Sequence, residues 1–361
     1  MDEFSLGFSL FDGIGPKKYL MLIKKFGSAK DAWEKLDSLN ARDSGISENL
    51  FQKFENFRKE FDPDFYLEKL KKTRVTFVAF EDPQYPGQLK DLDAPPIGIF
   101  CKGNLDLLSS INNIGVVGAR KITSYGKSVT ESIVTELVGN YIVIVSGLAL
   151  GVDATAHKTT LENKGSTISV LGCGVDCVSP SENQDLYEKI LDNNGLILSE
   201  YSLGMPPSKG SFPARNRIIA ALSLGVLITE AAEDSGSLIT AGEALKLGRK
   251  VFAVPGPITS QMSRGSLKLL KEGASLVSSG KDILDNFKFE ILNLKKENKL
   301  QNLSMSKEEK KIVELLESEN LDLDTLSKQT KIPIHKLLGI VTKLELSGIL
   351  KNTQGEIEIV Q

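Results

Sequence analysis

The segment "SKGSFPARNRII", at residues 208–219, carries the side chains best suited to bind a polyanion. Lys209, Arg215 and Arg217 supply positive charge, Phe212 lies among them, and the segment contains no acidic residue. Single strands of nucleic acid are held by cationic grooves that follow the phosphates and by aromatic side chains that stack on the bases. The segment therefore predicts a site for single-stranded nucleic acid with little sequence preference.

A second candidate anion site follows an apolar run in "IGVVGARKITS". Arg120 lies at the glycine turn, and Thr123 and Ser124 open the next predicted helix. The free N–H groups of a helix N-terminus, combined with a guanidinium group, form a site that attracts phosphate. The alternative interpretation is an exposed arginine beside an ordinary capped turn.

The segment "VSGLALGVDATAH" repeats this arrangement after the next apolar run. Gly147 and Gly151 would let the backbone approach a ligand closely, and Asp153 lies in the first helical turn. His157 could act as a general acid or base, but it has no obvious serine or cysteine partner. We therefore favour a packed, hydrogen-bonded histidine.

A third turn, in "AAEDSGSLITAGEALKLGR", combines small polar residues with carboxylates. Ser235, Gly236, Ser237 and Thr240 could cradle a phosphate at a helix start. The acidic residues that precede them, Glu230, Glu233 and Asp234, would repel a phosphate or serve another role.

The overall charge balance confines any polyanion site to a local surface. The chain has 361 residues, with 47 Asp and Glu against 44 Lys and Arg, which gives a net charge of -3. A protein of this charge has no bulk attraction to nucleic acid or to anionic membranes. No run approaches the ~18 apolar residues of a membrane span, and the acidic N-terminus is unlike a signal peptide. We expect a cytoplasmic protein of two or three domains.

The sequence predicts no metal site, no cofactor and no complete catalytic motif. Cys173 and Cys177 form an isolated C-x3-C pair, with both histidines distant in sequence, so we interpret them as space-filling thiols. No complete Walker A loop occurs, and no G-x-G-x-x-G follows a predicted strand, which argues against a nucleoside triphosphatase or an NAD enzyme.

The elements that must position these turns alternate between short β-branched runs and helical patterns. The runs "IGVVGA", "YIVIVSG", "STISVLG", "GLILSE", "GVLITEA" and "KVFAVPG", preceded by "VTFVAF", are almost continuously apolar, as expected of strands buried on both faces. The fold class is therefore α/β, with a doubly wound, Rossmann-like parallel sheet. Ligands bind such sheets beyond the carboxyl ends of the strands, where all three turns would lie.

Two smaller regions flank the predicted sheet. We expect a helical domain of the SAM or helix-hairpin-helix type at residues 1–72, where the "DGIG" turn would contact a phosphate or simply serve packing. The Rossmann-like DNA-binding domain spans 73–288 and a polar linker 289–304. Residues 305–361 follow the helix and strand order of a winged helix, and the mainly apolar third helix predicts protein contact or accessory DNA contact.

Four blocks, "GARKIT", "SGLALGVDATAH", "FPARNRIIAALS" and "EDSGSLITAGEAL", followed by "VFAVPG", together resemble the DNA-processing protein A (DprA/Smf) family. The resemblance extends over nearly the whole chain. It implies a recombination mediator, not an enzyme, that binds single-stranded DNA in natural transformation. It also implies a homodimer formed through the α/β domain, and help in loading the RecA recombinase. Our candidate dimer surface consists of the apolar helix and strand ends in residues 240–278.

The resemblance also implies which residues contact DNA. Arg120 matches a phosphate-contacting arginine, Lys209 a lysine near the family's phenylalanine, and Phe212 that base-stacking phenylalanine. The remaining candidates are Thr123, Ser146, Gly147, Arg215, Asn216 and Ser237. Leu150 is a departure, because many members have a basic residue there.

A competing hypothesis is an enzyme. The spacing of Gly236, Thr240 and Glu243 is similar to part of the glycine-rich motif of LOG-type nucleoside-monophosphate phosphoribohydrolases, in which Glu243 would assist N-glycosidic bond hydrolysis. The full motif is absent, and Ser235 replaces one glycine. Release of base from AMP would favour the enzyme, whereas binding of an oligonucleotide without turnover would favour the mediator.

Overall fold

The computed structural model describes residues 2–287, 306–316, 321–346, 350–353 and 356–359. The chain divides into two compact units, Met1–Asn286 and Phe287–Gln361. The predicted linker at 289–304 lies outside the described residues. Within those residues, no helix combines the length and apolar character needed to cross a membrane.

The first unit begins with short helices: α1 (Glu3–Leu10), α2 (Pro16–Phe26), α3 (Ala29–Lys35), α4 (Ser38–Asp43), α5 (Glu48–Glu60) and α6 (Pro63–Thr73). Short polar side chains cap many of them, and the Asp37 and Asp62 carboxylates each accept an N–H bond at a helix start. The sequence predicted α2, α3, α5 and α6 but not α1 or α4. In α1 four consecutive residues are buried, so this helix has no amphipathic period to detect.

Aromatic rings fill the centre of this helical region. Phe8 stacks on Phe54 with centroids 5.4 Å apart, and Trp33 meets both rings edge-on at 5.2 Å. Edge-on and offset contacts suit the ring quadrupoles and add to the apolar area that is buried. The helices also pack onto the sheet, because Leu6 and Leu70 share an apolar cluster with Phe77 of β1. Tyr19 Oη donates a hydrogen bond to Glu81, just after β1, across 2.9 Å. The helical region is thus part of the first compact unit.

The sheet of this unit contains β1 (Thr76–Ala79), β2 (Gly98–Gly103), β3 (Asn113–Val117), β4 (Val143–Ser146), β5 (Thr167–Leu171), β6 (Leu196–Ser199), β7 (Gly225–Ile228), β8 (Lys250–Ala253) and β9 (Ser275–Leu276). Their order is β1-β2-β6-β5-β4-β3-β7-β8-β9. All strands from β6 to β9 in this order run parallel, which confirms the predicted doubly wound sheet.

The β1 edge of the sheet differs from the prediction. The run "VTFVAF" does form a strand, but β1 pairs antiparallel with β2, and β2 pairs antiparallel with β6. The sequence did not predict β2 or the short β9. Composition reports how buried a strand is but not its direction, so an antiparallel edge could not be distinguished from a parallel one.

Helices cover both faces of the sheet: α7 (Ser124–Val138), α8 (Val152–Glu162), α9 (Gln184–Asp192), α10 (Ser211–Ala221), α11 (Ser237–Lys246), α12 (Arg264–Lys271) and α13 (Gly280–Leu284). One apolar cluster joins the strands to α10, α11 and α12, and a second joins them to α8 and α9. The strand order reverses at β3, which has β4 on one side and β7 on the other. A crevice is expected at such a switch point, beyond the carboxyl ends of these strands.

The second unit is a winged helix, as predicted. It contains α14 (Lys307–Leu316), β10 (Leu321–Asp322), α15 (Leu323–Thr330), α16 (Ile334–Leu346), β11 (Leu350–Thr353) and β12 (Glu356–Ile359). The strands pair in the order β10-β12-β11. Two lysines of α16 have carboxylate partners on α14: Lys336 meets Glu308 at 2.6 Å and Lys343 meets Glu309 at 2.7 Å.

Candidate nucleic-acid interface

A cleft of about 620 Å³ opens at the switch point of the sheet. Its walls come from the turns after β3 (residues 117–121) and β4 (residues 149–153), from the turn after β7 together with the start of α11 (residues 232–240), and from Lys209 and the start of α10 (residues 212–216). The volume lies in the range of natural ligand sites. The fold therefore brings all three predicted turns and the segment "SKGSFPARNRII" to one cleft.

Arg120 and Phe212 meet at the cleft and form its most distinctive contact. The Arg120 guanidinium carbon lies 5.4 Å from the centroid of the Phe212 ring. Arg120 is exposed, and Phe212 is half-buried. This is a cation–π arrangement, which orients the guanidinium group while leaving its N–H donors available. The structure thus brings a guanidinium group, which can donate hydrogen bonds to a phosphate, next to an aromatic ring, as the two predicted roles require.

Lys209 lies in a short, well-anchored loop before α10. Ser208 N donates to Ser211 Oγ at 3.0 Å, and Ser211 N donates to Ser208 Oγ at 3.1 Å. Ser211 Oγ in turn donates to the carbonyl of Gly172, at the end of β5. Lys209 itself is exposed, and neither it nor Arg120 has an ion-pair partner among the residues that the structure describes. Both cations therefore remain available to an anionic ligand.

Arg215 corrects the expectation of a direct phosphate contact. It borders the cleft but is only 5% exposed. Its Nη1 atom donates hydrogen bonds to the carbonyl of Gly147 at 2.7 Å and to the carbonyl of Val170. Burial lowers the pKa of Arg215, while the nearby charge of Asp153 acts in the opposite direction. Arg215 thereby connects the turn after β4 to the end of β5 through hydrogen bonds.

Asp153 is the buried counter-charge of this arrangement. Its carboxylate accepts a hydrogen bond from Gly147 N at 3.1 Å. Burial raises the pKa of Asp153, and the positive charge of Arg215 opposes that shift. The two charged groups thus compensate each other beneath the cleft, and together they hold the turn after β4 in place.

Ser146 and Gly147 are also corrected as predicted DNA contacts. Ser146 is fully buried, and its hydroxyl group donates to the carbonyl of Val116 at 2.6 Å. Gly147 is buried too, and a side chain there would collide with the Arg215 guanidinium. With Arg215 on its carbonyl and Asp153 on its N–H, the Gly147 backbone has no group to offer a phosphate. Ala149 and Asp153 of the turn after β4 line the cleft, whereas Ser146 and Gly147 support it from within the fold.

The predicted anion site at the start of α7 is already occupied by a carboxylate. Glu230 is 2% exposed. Its carboxylate accepts hydrogen bonds from Thr123 N at 2.8 Å and from Thr123 Oγ1 at 2.6 Å. The prediction that Thr123 contacts DNA is therefore corrected, because both of its donors are used internally. This contact gives Glu230 the other role that the sequence left open: it is the internal anion at this helix N-terminus.

Arg217 is a structural cation. It pairs with Glu200 at 2.6 Å, and both side chains are largely buried. Burial raises the pKa of Glu200, while Arg217 opposes the shift. The segment that has no acidic residue in sequence thus acquires its counter-charges through the fold, and Lys209 remains its exposed cation.

Asn216 and Ser237 lie at the cleft and bond to their neighbours. Asn216 Nδ2 donates to the carbonyl of Gly236 at 3.3 Å, which connects α10 to the turn before α11. Ser237 Oγ and Ser235 Oγ share a hydrogen bond of 2.8 Å. Both predicted residues line the cleft and remain candidate contacts.

Sequence reasoning missed Lys121, Ile239 and Met262, which also line the cleft. Lys121 could have been found, because it follows Arg120 directly in the same turn and is exposed. Ile239 and Met262 had no such signal. Apolar residues on helices are normally interpreted as core, and only the sheet order brings these two to the cleft.

Two residues of the competing enzyme hypothesis, Gly236 and Thr240, line the cleft. Glu243 does not line it and instead pairs with Lys246 at 2.7 Å. His157 is fully buried and lies 2.7 Å from Thr167 Oγ1, as the packed-histidine interpretation requires. Burial, the larger cause, and the charge of Arg215 lower the pKa of His157 to about 3. It is therefore neutral at ordinary pH.

Comparison with known proteins finds matches in both compact units of the chain. The family described as DNA recombination-mediator protein A matches residues 76–288, and the DprA winged helix domain matches residues 298–356. The DNA processing protein DprA of Streptococcus pneumoniae is 47% identical over 226 residues, covering 63% of this chain and 79% of the relative.

Two solved structures are similar to this chain. The crystal structure of DNA processing protein A from Streptococcus pneumoniae has a TM-score of 0.70 and 37% identity, covering 79% of this chain and 98% of that one. A structure describing the single-stranded DNA binding mode of DNA processing protein A from Helicobacter pylori has a TM-score of 0.53 and 35% identity. It covers 59% of this chain and 95% of that one.

Proposed function

Because this chain belongs to the DNA recombination-mediator protein A (DprA/Smf) family, we propose that it binds single-stranded DNA in the switch-point cleft. The observation that carries the proposal is the Arg120–Phe212 pair, with exposed Lys209 beside it. This arrangement supplies a stacking ring and unpaired cations at one cleft, which is what a single strand requires.

Each contact has a distinct physical role in this proposal. Arg120 and Lys209 bind phosphates, and Phe212 stacks on a base, a contact worth about 1–3 kcal/mol per base. Asn216 and Ser237 add hydrogen bonds to the strand or fix the loops around it. Arg215 and Asp153 act from beneath, because their charged groups are already committed to the protein. Such contacts do not read base edges, so we expect little sequence preference.

Binding to labelled oligothymidylate, measured by fluorescence anisotropy over a salt series, tests the proposal. We expect saturable binding whose salt dependence has a slope of about -0.7 per neutralised phosphate. Incubation of the same preparation with AMP, followed by chromatography, tests for release of the base. Base release without oligonucleotide binding would contradict the mediator hypothesis and favour the enzyme hypothesis.

We extend the proposal to a role in loading the RecA recombinase during natural transformation, in the cytoplasm. Family membership supports this step. The test is RecA filament formation on single-stranded DNA already covered by a single-strand binding protein. We expect this chain to accelerate filament formation, and the Arg120→Ala, Lys209→Ala double variant to lose that acceleration. Equal rates with and without the protein would contradict the role.

We also propose a homodimer formed through residues 240–278 of the first unit. Leu245 on α11 is 59% exposed, and Leu276 on β9 is 58% exposed. The strand β9 is at the edge of the sheet, so its outer backbone groups can meet a second copy. Light scattering should report a dimer for the wild type and a monomer for Leu245→Glu or Leu276→Glu. A monomeric wild type would contradict the proposal.

A further inference from the structure

We propose that Leu150, Pro180 and Phe212 form a second base subsite, next to the cleft and separate from it. This inference rests on the proposed function, because it concerns the path of the same DNA strand. A small cavity of about 90 Å³ lies here, bordered by these three residues and by Ser179 and Arg120. Its smaller size distinguishes it from the cleft of about 620 Å³.

The two cavities share a wall. Arg120 and Phe212 line both the cleft and the small cavity. A strand that stacks a base on Phe212 therefore passes the small cavity with its adjacent nucleotide. Arg120, exposed and oriented over the Phe212 ring, lies where the phosphate between these two nucleotides would pass.

Leu150 is held in position by a rigid turn. Leu148, two residues earlier, is fully buried with a φ of 57°, and its carbonyl accepts Asn183 Nδ2 at 2.8 Å. A side chain at Gly151, one residue later, would collide with the Ala119 carbonyl. Leu150 remains 38% exposed on this fixed turn. A preorganised side chain loses little entropy on binding, so its apolar contact contributes to affinity.

A nucleobase is the occupant that these walls favour. Leucine, proline and phenylalanine present apolar surface, and every base has a π-face to place against it. Arg120 is the exposed cation at this cavity, and the proposal assigns it to the phosphate. Arg215 also borders the small cavity, but it is buried and bonded to the carbonyls of Gly147 and Val170. The small cavity therefore takes the base, and Arg120 takes the phosphate.

The test compares Leu150→Ala and Leu150→Arg with the wild type, by anisotropy of labelled oligothymidylate over a salt series. We expect Leu150→Ala to lose roughly threefold to tenfold in affinity, the size expected when an apolar side chain no longer covers a base. Its salt slope should stay unchanged, since no charge is removed. Leu150→Arg should steepen the slope by about 0.7, as one more phosphate is neutralised.

Two controls separate this effect from a structural one. Leu150→Met keeps an apolar side chain of similar reach and should bind as the wild type does. Leu39→Ala removes a leucine that is 75% exposed in the helical region and should leave affinity unchanged. Wild-type affinity in Leu150→Ala, or a reduced affinity accompanied by a shallower salt slope, would overturn the subsite. Failure of the wild type itself to bind would overturn the proposed function as well.

Discussion

The cleft of the first unit and helix α16 of the winged helix both carry basic and apolar side chains, but their charges have different surroundings. At the cleft, Arg120 and Lys209 are exposed and have no carboxylate partner among the described residues. On α16, Lys336 and Lys343 each face a glutamate of α14. The carboxylate of each pair cancels the local field that would attract a phosphate. The number of cations on a surface therefore does not identify a DNA site.

The same contrast occurs within residues 208–219, where Lys209 is exposed. Arg215 and Arg217 lie close to Phe212 in sequence, but both are buried or paired with carboxylates elsewhere in the fold. Basic residues in one segment can therefore have opposite roles, one toward the ligand and another toward the protein core. Burial and partners decide between these roles.

Arg215→Ala should have the largest effect, and it acts on stability. Removal of this buried cation leaves Asp153 uncompensated and the Gly147 carbonyl without a donor, which should cost about 3–5 kcal/mol of unfolding free energy. Urea unfolding measures the change. Arg120→Ala is the matched control, because it removes an exposed arginine from the same cleft. Equal unfolding free energies of the two variants would contradict the claim that Arg215 stabilises the fold and Arg120 does not.

The Arg120→Ala, Lys209→Ala double variant should lose at least roughly a hundredfold in affinity for single strands, since each charged contact is worth about 1.5–3 kcal/mol. Its salt slope should become shallower by about 1.4, which corresponds to two phosphates. Anisotropy over a salt series measures both quantities. The melting temperature should stay near that of the wild type. Retained affinity would remove the cleft from the proposed binding path.

Phe212→Ala should lose roughly tenfold in affinity through lost stacking, with the salt slope largely preserved. Phe212→Trp is the control that restores a stacking ring. A preserved slope would separate the aromatic contribution from the ionic one. If thermal stability collapsed in Phe212→Ala, the ring would instead belong to the core.

The Lys336→Ala, Lys343→Ala double variant should have the smallest effect, less than about twofold on single-strand affinity, because both lysines already face carboxylates. The same anisotropy measurement provides a direct comparison with the cleft variants. A loss as large as that of the cleft double variant would show that the winged helix binds the strand directly, and the contrast between the two regions would fail.

The sheet and the winged helix were predictable because both follow from local pattern. Buried parallel strands are continuously apolar, as in β4 and β5, and the predicted helices show periodic apolar residues. The direction of β1 and the presence of α1 were not predictable. Strand direction is fixed by partners distant in sequence, and a helix buried on several sides loses its amphipathic signal.

The site was predictable only in part. Arg120, Lys209 and Phe212 carry a local signal of charge and aromaticity next to glycine turns, and the structure brings them to one cleft. The burial of Arg215 and the pairing of Arg217 with Glu200 depend on contacts between distant segments. Residue type alone does not reveal such contacts. In the sequence, both arginines therefore look available to bind an anion.

The Glu230 carboxylate at the start of α7 has a consequence for which molecules the cleft can retain. A tethered carboxylate has an effective concentration that dissolved phosphates do not match, so it acts as a permanent internal competitor at this helix end. A mononucleotide therefore loses one of the strongest anchors that a Rossmann-like sheet usually offers. A polymer loses far less, because its phosphates reach several separated cations at once. In the proposed binding mode, we therefore expect a longer strand to bind more tightly than a single nucleotide.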